Sequence, residues 1–84
     1  MSTLNEIARK RKADLKELNK LSQNLDAKQE AVEREIKRIT TRKKSVPEIA
    51  DATRIISLIG ETNTALQEIN QYCQKLAQTW QTMG

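Results

Sequence analysis

The stretch Ser45-Val46-Pro47-Glu48 decides the fold of this chain, because the heptad pattern of apolar residues changes phase there. On either side, the pattern advances by alternating steps of four and three residues, which is typical of helices that pack along one seam. Pro47 is the only proline, and it disfavours a helical residue before it but is tolerated in a first helical turn. Ser45 and Glu48 also have the spacing of a capping box, which marks a helix start. The stretch therefore predicts a break between two helices.

Long helices are predicted on both sides of this break. Thr3 and Glu6 form another capping box near the N-terminus, and no glycine or proline follows before residue 45. A continuous helix with a kink at the proline is the alternative to two separate helices. We predict helix 1 at about residues 3–44, a turn at about 45–46 and helix 2 at about 47–81, within a single domain of residues 1–84.

Residue pairing across the predicted turn favours an antiparallel arrangement. Folding the chain back there pairs residues whose numbers sum to about 92, which places Gln29 opposite Asn63. Polar residues that face each other within an apolar seam satisfy one another and fix the register. Arg11 falls near Trp80, where a cation–π contact is expected. The predicted fold class is all-α: an antiparallel two-helix hairpin of coiled-coil type that dimerises into a four-helix bundle.

The heptad pattern also predicts which side of helix 2 faces inward. Its seam residues are expected to pack against helix 1, with Cys73 as a buried small apolar residue. These seam residues include Ile49, Ile56, Ile59, Leu66 and Cys73. Helix 2 carries a second apolar stripe beside the seam, so its apolar surface is wider than helix 1 can cover. This second stripe is predicted to contact another protein through Ile55, Leu58, Ile69, Tyr72, Leu76 and Met83.

Composition narrows the possible functions. The 84 residues are 31% charged and 2% aromatic, which is typical of long helices. A chain of this length buries a small core, so we expect it to bind itself as a homodimer, another helical protein, or both. There is no histidine, Cys73 is the only cysteine and no Gly-rich loop is present, so the sequence contains no motif for metal, nucleophilic or phosphate chemistry. We predict a protein that is not an enzyme and has no catalytic residues, cofactor, metal or small-molecule substrate.

The expected location follows from segments that the sequence does not contain. No run of 18 apolar residues could span a membrane, and the first residues lack the apolar core of a signal peptide. A single thiol fits a reducing compartment. We therefore expect a cytoplasmic protein without a membrane span.

Positive charge is concentrated in helix 1. Residues 1–44 carry 13 Lys/Arg and 7 Asp/Glu, a net +6, whereas residues 45–84 carry 2 and 4, a net −2. Basic clusters bind nucleic-acid backbones or acidic partners, although this chain offers no aromatic side chain to stack on bases. A solvated charged face is the other interpretation. The basic residues that could make such contacts are Arg9, Lys10, Arg11, Lys12, Arg38, Arg42, Lys43 and Lys44.

Two functions are consistent with these patterns. The first is a non-enzymatic protein–protein interaction module, such as an adaptor, chaperone, assembly factor or small inhibitor, that binds through the wide apolar face of helix 2. The alternative is a basic nucleic-acid-binding dimer of helical hairpins.

Overall fold

The computed structural model is a hairpin of two long helices. It describes residues 3–42 and 46–83, apart from the side chain of residue 83. Helix α1 spans Leu4–Thr40 and helix α2 spans Ile49–Met83. The two helices pack side by side in opposite directions, and the Cα atoms span 67 × 17 × 9 Å. The predicted antiparallel hairpin is confirmed, and it forms a single layer of two rods.

Helix α1 begins as predicted and ends earlier than predicted. The backbone N–H of Glu6 donates to the Oγ1 of Thr3 at 3.2 Å, which satisfies one of the free N–H groups of the first turn. At the other end, the hydroxyls of Thr40 and Thr41 donate to the carbonyl of Lys37 at 3.1 and 2.8 Å. These bonds occupy a carbonyl of the last turn, so α1 stops at Thr40 rather than near residue 44.

Helix α2 begins at Ile49, two residues later than predicted, so Pro47 precedes the helix. The carboxylate of Asp51 accepts a hydrogen bond from the backbone N–H of Glu48 at 2.9 Å. This is one half of a capping box, with Glu48 as the residue before the first turn. The cap predicted at Ser45 lies outside the described residues. The observed capping contact therefore joins Glu48 and Asp51, three residues later than the capping box predicted at Ser45 and Glu48.

Cross-helix ion pairs define the register of the hairpin. Lys28 Nζ lies 3.8 Å from Glu61 Oε1, and Arg42 Nη2 lies 2.6 Å from Asp51 Oδ2. The residue numbers of these pairs sum to 89 and 93, close to the predicted sum of 92. The predicted register is therefore confirmed to within one helical turn.

The side of α2 that faces α1 differs from the prediction. Ile56 and Leu66 on the expected inward seam are 68% and 53% exposed, and Cys73 is exposed. Ala65 and Leu76 are buried instead. The residues predicted to contact another protein lie on the inward side, partly or fully buried: Ile55, Leu58, Ile69, Tyr72 and Leu76. The side chain of Met83, the sixth, is outside the described part.

Small and polar residues explain this rotation of α2. Ala65 lies at the centre of the inward side, where a small side chain lets two helices approach closely. Tyr72 and Trp80 reach the α1 residue Asp14 from the same side, and Arg54 reaches Glu35. The rotated packing buries one apolar stripe of α2 and also makes these polar contacts. The heptad seam is left facing outward.

Neither helix, over the residues that the structure describes, is both long and apolar enough to cross a bilayer.

Candidate functional site

One side of the hairpin carries a row of exposed large apolar side chains, which we call the apolar face. Both helices contribute to it, because the exposed stripe of α1 that contains Leu15 and Ile36 lies on the same side of the rod as the exposed seam of α2. Isolated exposed apolar residues are common on proteins, so the alignment of several on one side is what makes this face a candidate contact surface. The large members are Leu15 and Ile36 from α1 and Ile56, Ile59 and Leu66 from α2.

Two shallow grooves run along this face between the helices. One is lined by Leu15, Leu18, Cys73, Leu76, Ala77 and Trp80, near the start of α1. The other is lined by Gln29, Val32, Glu33, Ile59 and Thr62, nearer the turn. Because the interhelical groove is open and mostly apolar, it can receive side chains from another helix.

The polar residues between the large apolar members of each stripe are uncharged, and Glu33 lies at the border of the face. Ser22 and Gln29 occupy the α1 stripe between Leu15 and Ile36, at steps of seven residues. On α2, Asn63 and Asn70 are the polar residues with the same spacing of seven. Depletion of charge at the centre of a patch is the compositional feature of protein interfaces.

The opposite side of the hairpin, which we call the charged face, is lined by acids and lysines. Glu17, Glu68 and Lys75 line one of its grooves, and Lys28 and Glu61 line the next. Pairs such as Lys28–Glu61 at 3.8 Å are solvent-exposed and contribute little to stability. The two sides of one rod therefore differ sharply in their affinity for water.

Asp14 is the centre of a polar cluster at the open end of the hairpin. Asp14 is 4% exposed, and its carboxylate accepts hydrogen bonds from Lys10 Nζ at 2.6 Å and from Trp80 Nε1 at 2.9 Å. The Tyr72 hydroxyl donates to the Asp14 backbone carbonyl at 3.3 Å. Arg11 lies over the Trp80 ring, 5.3 Å from its centroid, which confirms the predicted cation–π contact. We call these five residues the Asp14 cluster.

The electrostatics of the Asp14 cluster favour the ionised carboxylate. Hydrogen bonds from Lys10 and Trp80 lower the pKa of Asp14, and they outweigh the burial that would raise it. The same contact raises the pKa of Lys10. Burial, together with the charges of Asp14 and Glu17, raises the pKa of Tyr72, so its hydroxyl stays a donor. The cluster locks the start of α1 to the end of α2.

A second cluster, the Glu35–Asp51 cluster, lies at the turn end. Glu35 is 6% exposed and pairs with Arg38 on its own helix and with Arg54 Nε at 3.2 Å across the hairpin. Asp51 pairs with Arg42 Nη2 at 2.6 Å. Hydrogen bonds from Arg38 lower the pKa of Glu35, and those from the Glu48 backbone and Arg42 lower that of Asp51. Three arginines and two acids thus fasten this end.

We expect the hairpin to lose stability in acid. A carboxylate whose folded-state pKa is lowered stabilises the fold above its unfolded pKa, and that contribution disappears as the pH falls through the folded value. Asp14, Glu35 and Asp51 all have lowered pKa values. The midpoint of thermal unfolding, followed by circular dichroism, should therefore fall as the pH drops below about 4, the ordinary range of Asp and Glu.

A matched pair of variants separates this effect from general charge repulsion at low pH. Asp14→Asn with Glu35→Gln removes two carboxylates whose pKa is lowered and should flatten the pH dependence. Glu30→Gln with Glu68→Gln removes the same charge from exposed positions and should leave the dependence as in the parent chain. An equal loss in acid for both double variants contradicts this prediction.

The basic residues predicted as nucleic-acid contacts separate into two groups. Lys10 and Arg11 belong to the Asp14 cluster, and Arg38 and Arg42 belong to the Glu35–Asp51 cluster. Arg9 and Lys12 are exposed and form no ion pair within the described residues, whereas Lys43 and Lys44 lie outside those residues. Most of the described basic candidates are therefore already engaged in holding the two helices together.

Sequence reasoning missed the two buried carboxylates. Asp14 and Glu35 occupy flank positions of the heptad pattern, where charged residues are usually solvated. The spacing of Lys10 to Asp14 and of Glu35 to Arg38 was visible in the sequence as helical ion pairs. Their burial depends on Trp80 and Arg54 reaching across from α2, which local spacing does not reveal.

No group of three or more His, Cys, Asp or Glu side chains is arranged to hold a metal ion in the part of the chain that the structure describes. No protein-family model, curated protein or solved structure matches this chain. Its function therefore has to be argued from its own surface.

Proposed function

We propose that this chain is a non-enzymatic protein–protein interaction module that binds through the apolar face. The observation that carries the proposal is the row of exposed large apolar residues on one side of the rod, Leu15, Ile36, Ile56, Ile59 and Leu66. On α2, the proposed contact surface is the exposed heptad seam, whereas the sequence had predicted the stripe beside it, which packs against α1. Both helices, rather than α2 alone, contribute to the new surface.

The amount of exposed surface supports this proposal. The chain exposes 6871 Å², whereas a compact monomer of its mass, 9.6 kDa, exposes about 5,100 Å². A standard protein–protein interface covers about 800 Å² per partner. The excess of roughly 1,800 Å² is therefore larger than one such interface would remove. A single layer of two helices is a fold that a second layer would complete.

The proposed assembly is a four-helix bundle of coiled-coil type, formed with another hairpin or with helices of another protein. Exposed residues at heptad spacing insert between the residues of a facing helix, and the grooves on the apolar face supply the receiving positions. The proposed setting is cytoplasmic, because Cys73 is a free thiol. An adaptor, chaperone, assembly factor or small inhibitor would all use such a surface.

The nucleic-acid-binding alternative is less well supported by the side-chain contacts. Four of its candidate residues, Lys10, Arg11, Arg38 and Arg42, make contacts inside the hairpin. Arg9 and Lys12 alone provide few phosphate contacts, and the strength of non-specific binding rises with their number. A salt-sensitive gel shift that is lost in Arg9→Glu with Lys12→Glu would restore this alternative.

Aspartate substitutions on the apolar face should abolish partner binding. We expect Ile59→Asp with Leu66→Asp to remove the proteins that the tagged parent chain captures from native lysate, including untagged copies of itself. Burying two unpaired carboxylates costs several kcal/mol, more than most interfaces can lose. The captured proteins would be identified by mass spectrometry after nuclease treatment, which removes contacts mediated by nucleic acid.

The control places the same charges on the charged face. Thr64 and Gln71 are exposed and line the grooves of that side. Thr64→Asp with Gln71→Asp should retain every captured protein, and circular dichroism should show equal helicity for both double variants. If the apolar-face variant captures the same proteins in the same amounts as this control, the proposed function is wrong.

A further inference from the structure

The α1 half of the apolar face has polar residues at its centre and apolar residues at both ends. Leu15, Ser22, Gln29 and Ile36 follow one another at steps of seven residues and share one stripe of the helix. The two large apolar side chains are exposed, and the two polar ones lie between them. This order reads the same in both directions along the helix.

The α2 half repeats that order. Ile56, Asn63, Asn70 and Ala77 also follow one another at steps of seven residues. Here, too, two polar residues lie between two apolar ones, and all four are exposed. This stripe of α2 therefore has the same order of polar and apolar residues as the stripe of α1, with exposed Ile59 and Leu66 beside it.

The register of the hairpin brings these two patterns to the same heights. Cross-helix pairs such as Lys28–Glu61 sum to about 90 in residue number, which places Ser22 level with Asn70 and Gln29 level with Asn63. The face thus has two polar layers across the middle of the rod, with exposed Leu66 between them, and apolar layers towards its two ends. A partner must offer hydrogen-bonding groups at the middle and apolar groups outside it, because buried polar groups require partners.

We propose that the occupant of the apolar face is a second copy of this chain, related by a two-fold axis that runs parallel to the rod. The inference rests on the proposed function and names its partner. In this arrangement, α1 of each copy lies antiparallel on α2 of the other. Each residue of the second copy lies at the same position along the rod as the same residue of the first. Ser22 then meets Asn70 of the partner subunit, and Gln29 meets Asn63 of the partner subunit. Apolar Leu15 and Ile36 meet apolar layers.

The amide and hydroxyl side chains of the two polar layers hydrogen-bond across this interface. Polar residues at buried heptad positions are known to fix the register and partner number of helical bundles. A uniformly apolar partner would leave Ser22, Gln29, Asn63 and Asn70 without partners. A second copy satisfies all of them, because it carries the matching groups at the matching heights.

Charges beside the apolar face favour this stacking over the alternative two-fold axis. On α1, Asp26 and Glu33 follow Ser22 and Gln29 by four residues and border the face. An axis perpendicular to the rod would stack α1 on itself and bring Asp26 next to its own copy near the middle, which is repulsive. An axis parallel to the rod avoids that contact.

The corresponding border of α2 is neutral. Gln67, Gln74 and Gln81 follow Asn63, Asn70 and residue 77 by four positions, and all three glutamines are exposed. Stacking α1 on α2 therefore places a charged border against a row of amides, which can donate to carboxylates and accept from lysines. This accounts for the polar but uncharged strip of glutamines along α2.

Mixed disulfide formation tests the arrangement. In a Cys73→Ser background, one chain carries Ser22→Cys and a second, larger tagged chain carries Asn70→Cys. Facing positions in adjacent helices come within disulfide range, which is about 4.4–6.8 Å between Cα atoms. We expect mild oxidation of the mixture to give one covalent species containing one chain of each kind. Neither chain oxidised alone should give a covalent dimer.

The mass of the unmodified chain in solution is the second measurement. Light scattering should give twice 9.6 kDa. Leu66→Asp should weaken the dimer at least about tenfold, and Thr64→Asp should not. A mass of 9.6 kDa at every concentration overturns the second copy as occupant. A dimer without the mixed disulfide overturns the stacking.

These outcomes are distinguishable from failure of the proposed function. A monomer that still captures another protein through the apolar face overturns only the second copy. A monomer whose capture is indifferent to aspartates on that face overturns both proposals. Because the parent mass is measured without any substitution, misfolding of a variant cannot imitate either result.

Discussion

Leu76→Ala is expected to destabilise the hairpin by about 2–5 kcal/mol, because it removes a leucine from between the two helices and leaves a cavity. Leu76 is 7% exposed and lies close to the Asp14 cluster. A domain of this size has a total free energy of unfolding of about 4–13 kcal/mol, so the loss is a large fraction of it. Urea unfolding followed by circular dichroism would measure the change in midpoint.

Two other leucines serve as controls for this prediction. Leu4 is exposed at the beginning of α1, so Leu4→Ala should change the midpoint little. Leu66 lies on the apolar face, so Leu66→Ala should act mainly through association and become smaller on dilution. A large, concentration-independent loss for Leu66→Ala with a small loss for Leu76→Ala would show that α2 turns its heptad seam inward.

Asp14→Ala is expected to cause the second large effect, a marked drop in melting temperature. The change removes the acceptor of both the Lys10 ammonium and the Trp80 indole N–H. A buried donor without a partner destabilises more than the lost bond alone. Since Trp80 is the only tryptophan, its fluorescence should also shift to longer wavelength as the indole becomes hydrated. Glu30→Ala, an exposed substitution on the same helix, should change neither quantity.

A double variant shows whether the Trp80 contact carries this effect. Trp80→Phe removes the N–H donor, so Asp14→Ala should destabilise the Trp80→Phe chain less than it destabilises the parent. Thermal unfolding of the four chains gives the coupling between the two residues. Additive changes would mean that Asp14 acts through Lys10 alone and that the indole hydrogen bond is unimportant.

Much of the backbone was predictable because its signals are local. Pro47 and the change of heptad phase marked the break between the helices, and the cap at Thr3 marked the first start. The register was predictable as well, since a short turn between two long helices leaves few ways to pair them. The Arg11–Trp80 contact followed directly from that register.

The rotation of α2 about its own axis was not predictable from periodicity. Leucines and isoleucines occupy two neighbouring stripes of α2, one containing Leu66 and the other Leu76, and either could face α1. The choice depends on long-range polar contacts, such as the Trp80 N–H with Asp14 and Arg54 with Glu35. Hydrophobic patterning is insensitive to these contacts, because it treats each charged residue as solvated.

The sequence predicted that α2 would leave one apolar stripe uncovered by α1, and the stripe left exposed is the neighbouring one. The sequence shows that α2 has more apolar surface than one helix can cover, and Ile56 and Leu66 remain exposed in the hairpin. Which stripe is left over depends on the rotation of α2. The same rotation adds Leu15 and Ile36 of α1 to the surface, which no argument about α2 alone could have included.

The position of the Asp14 cluster has a mechanical consequence. The first turns of α1 and the last turns of α2 lie side by side, so tension applied to Leu4 and Thr82 pulls across the hairpin rather than along it. Such a load separates α1 from α2 one interhelical contact at a time, starting at the Asp14 cluster and proceeding towards the turn. A tether attached through these two ends would therefore yield at low force, whereas pulling on the bend and one end would meet the resistance of many pairs at once.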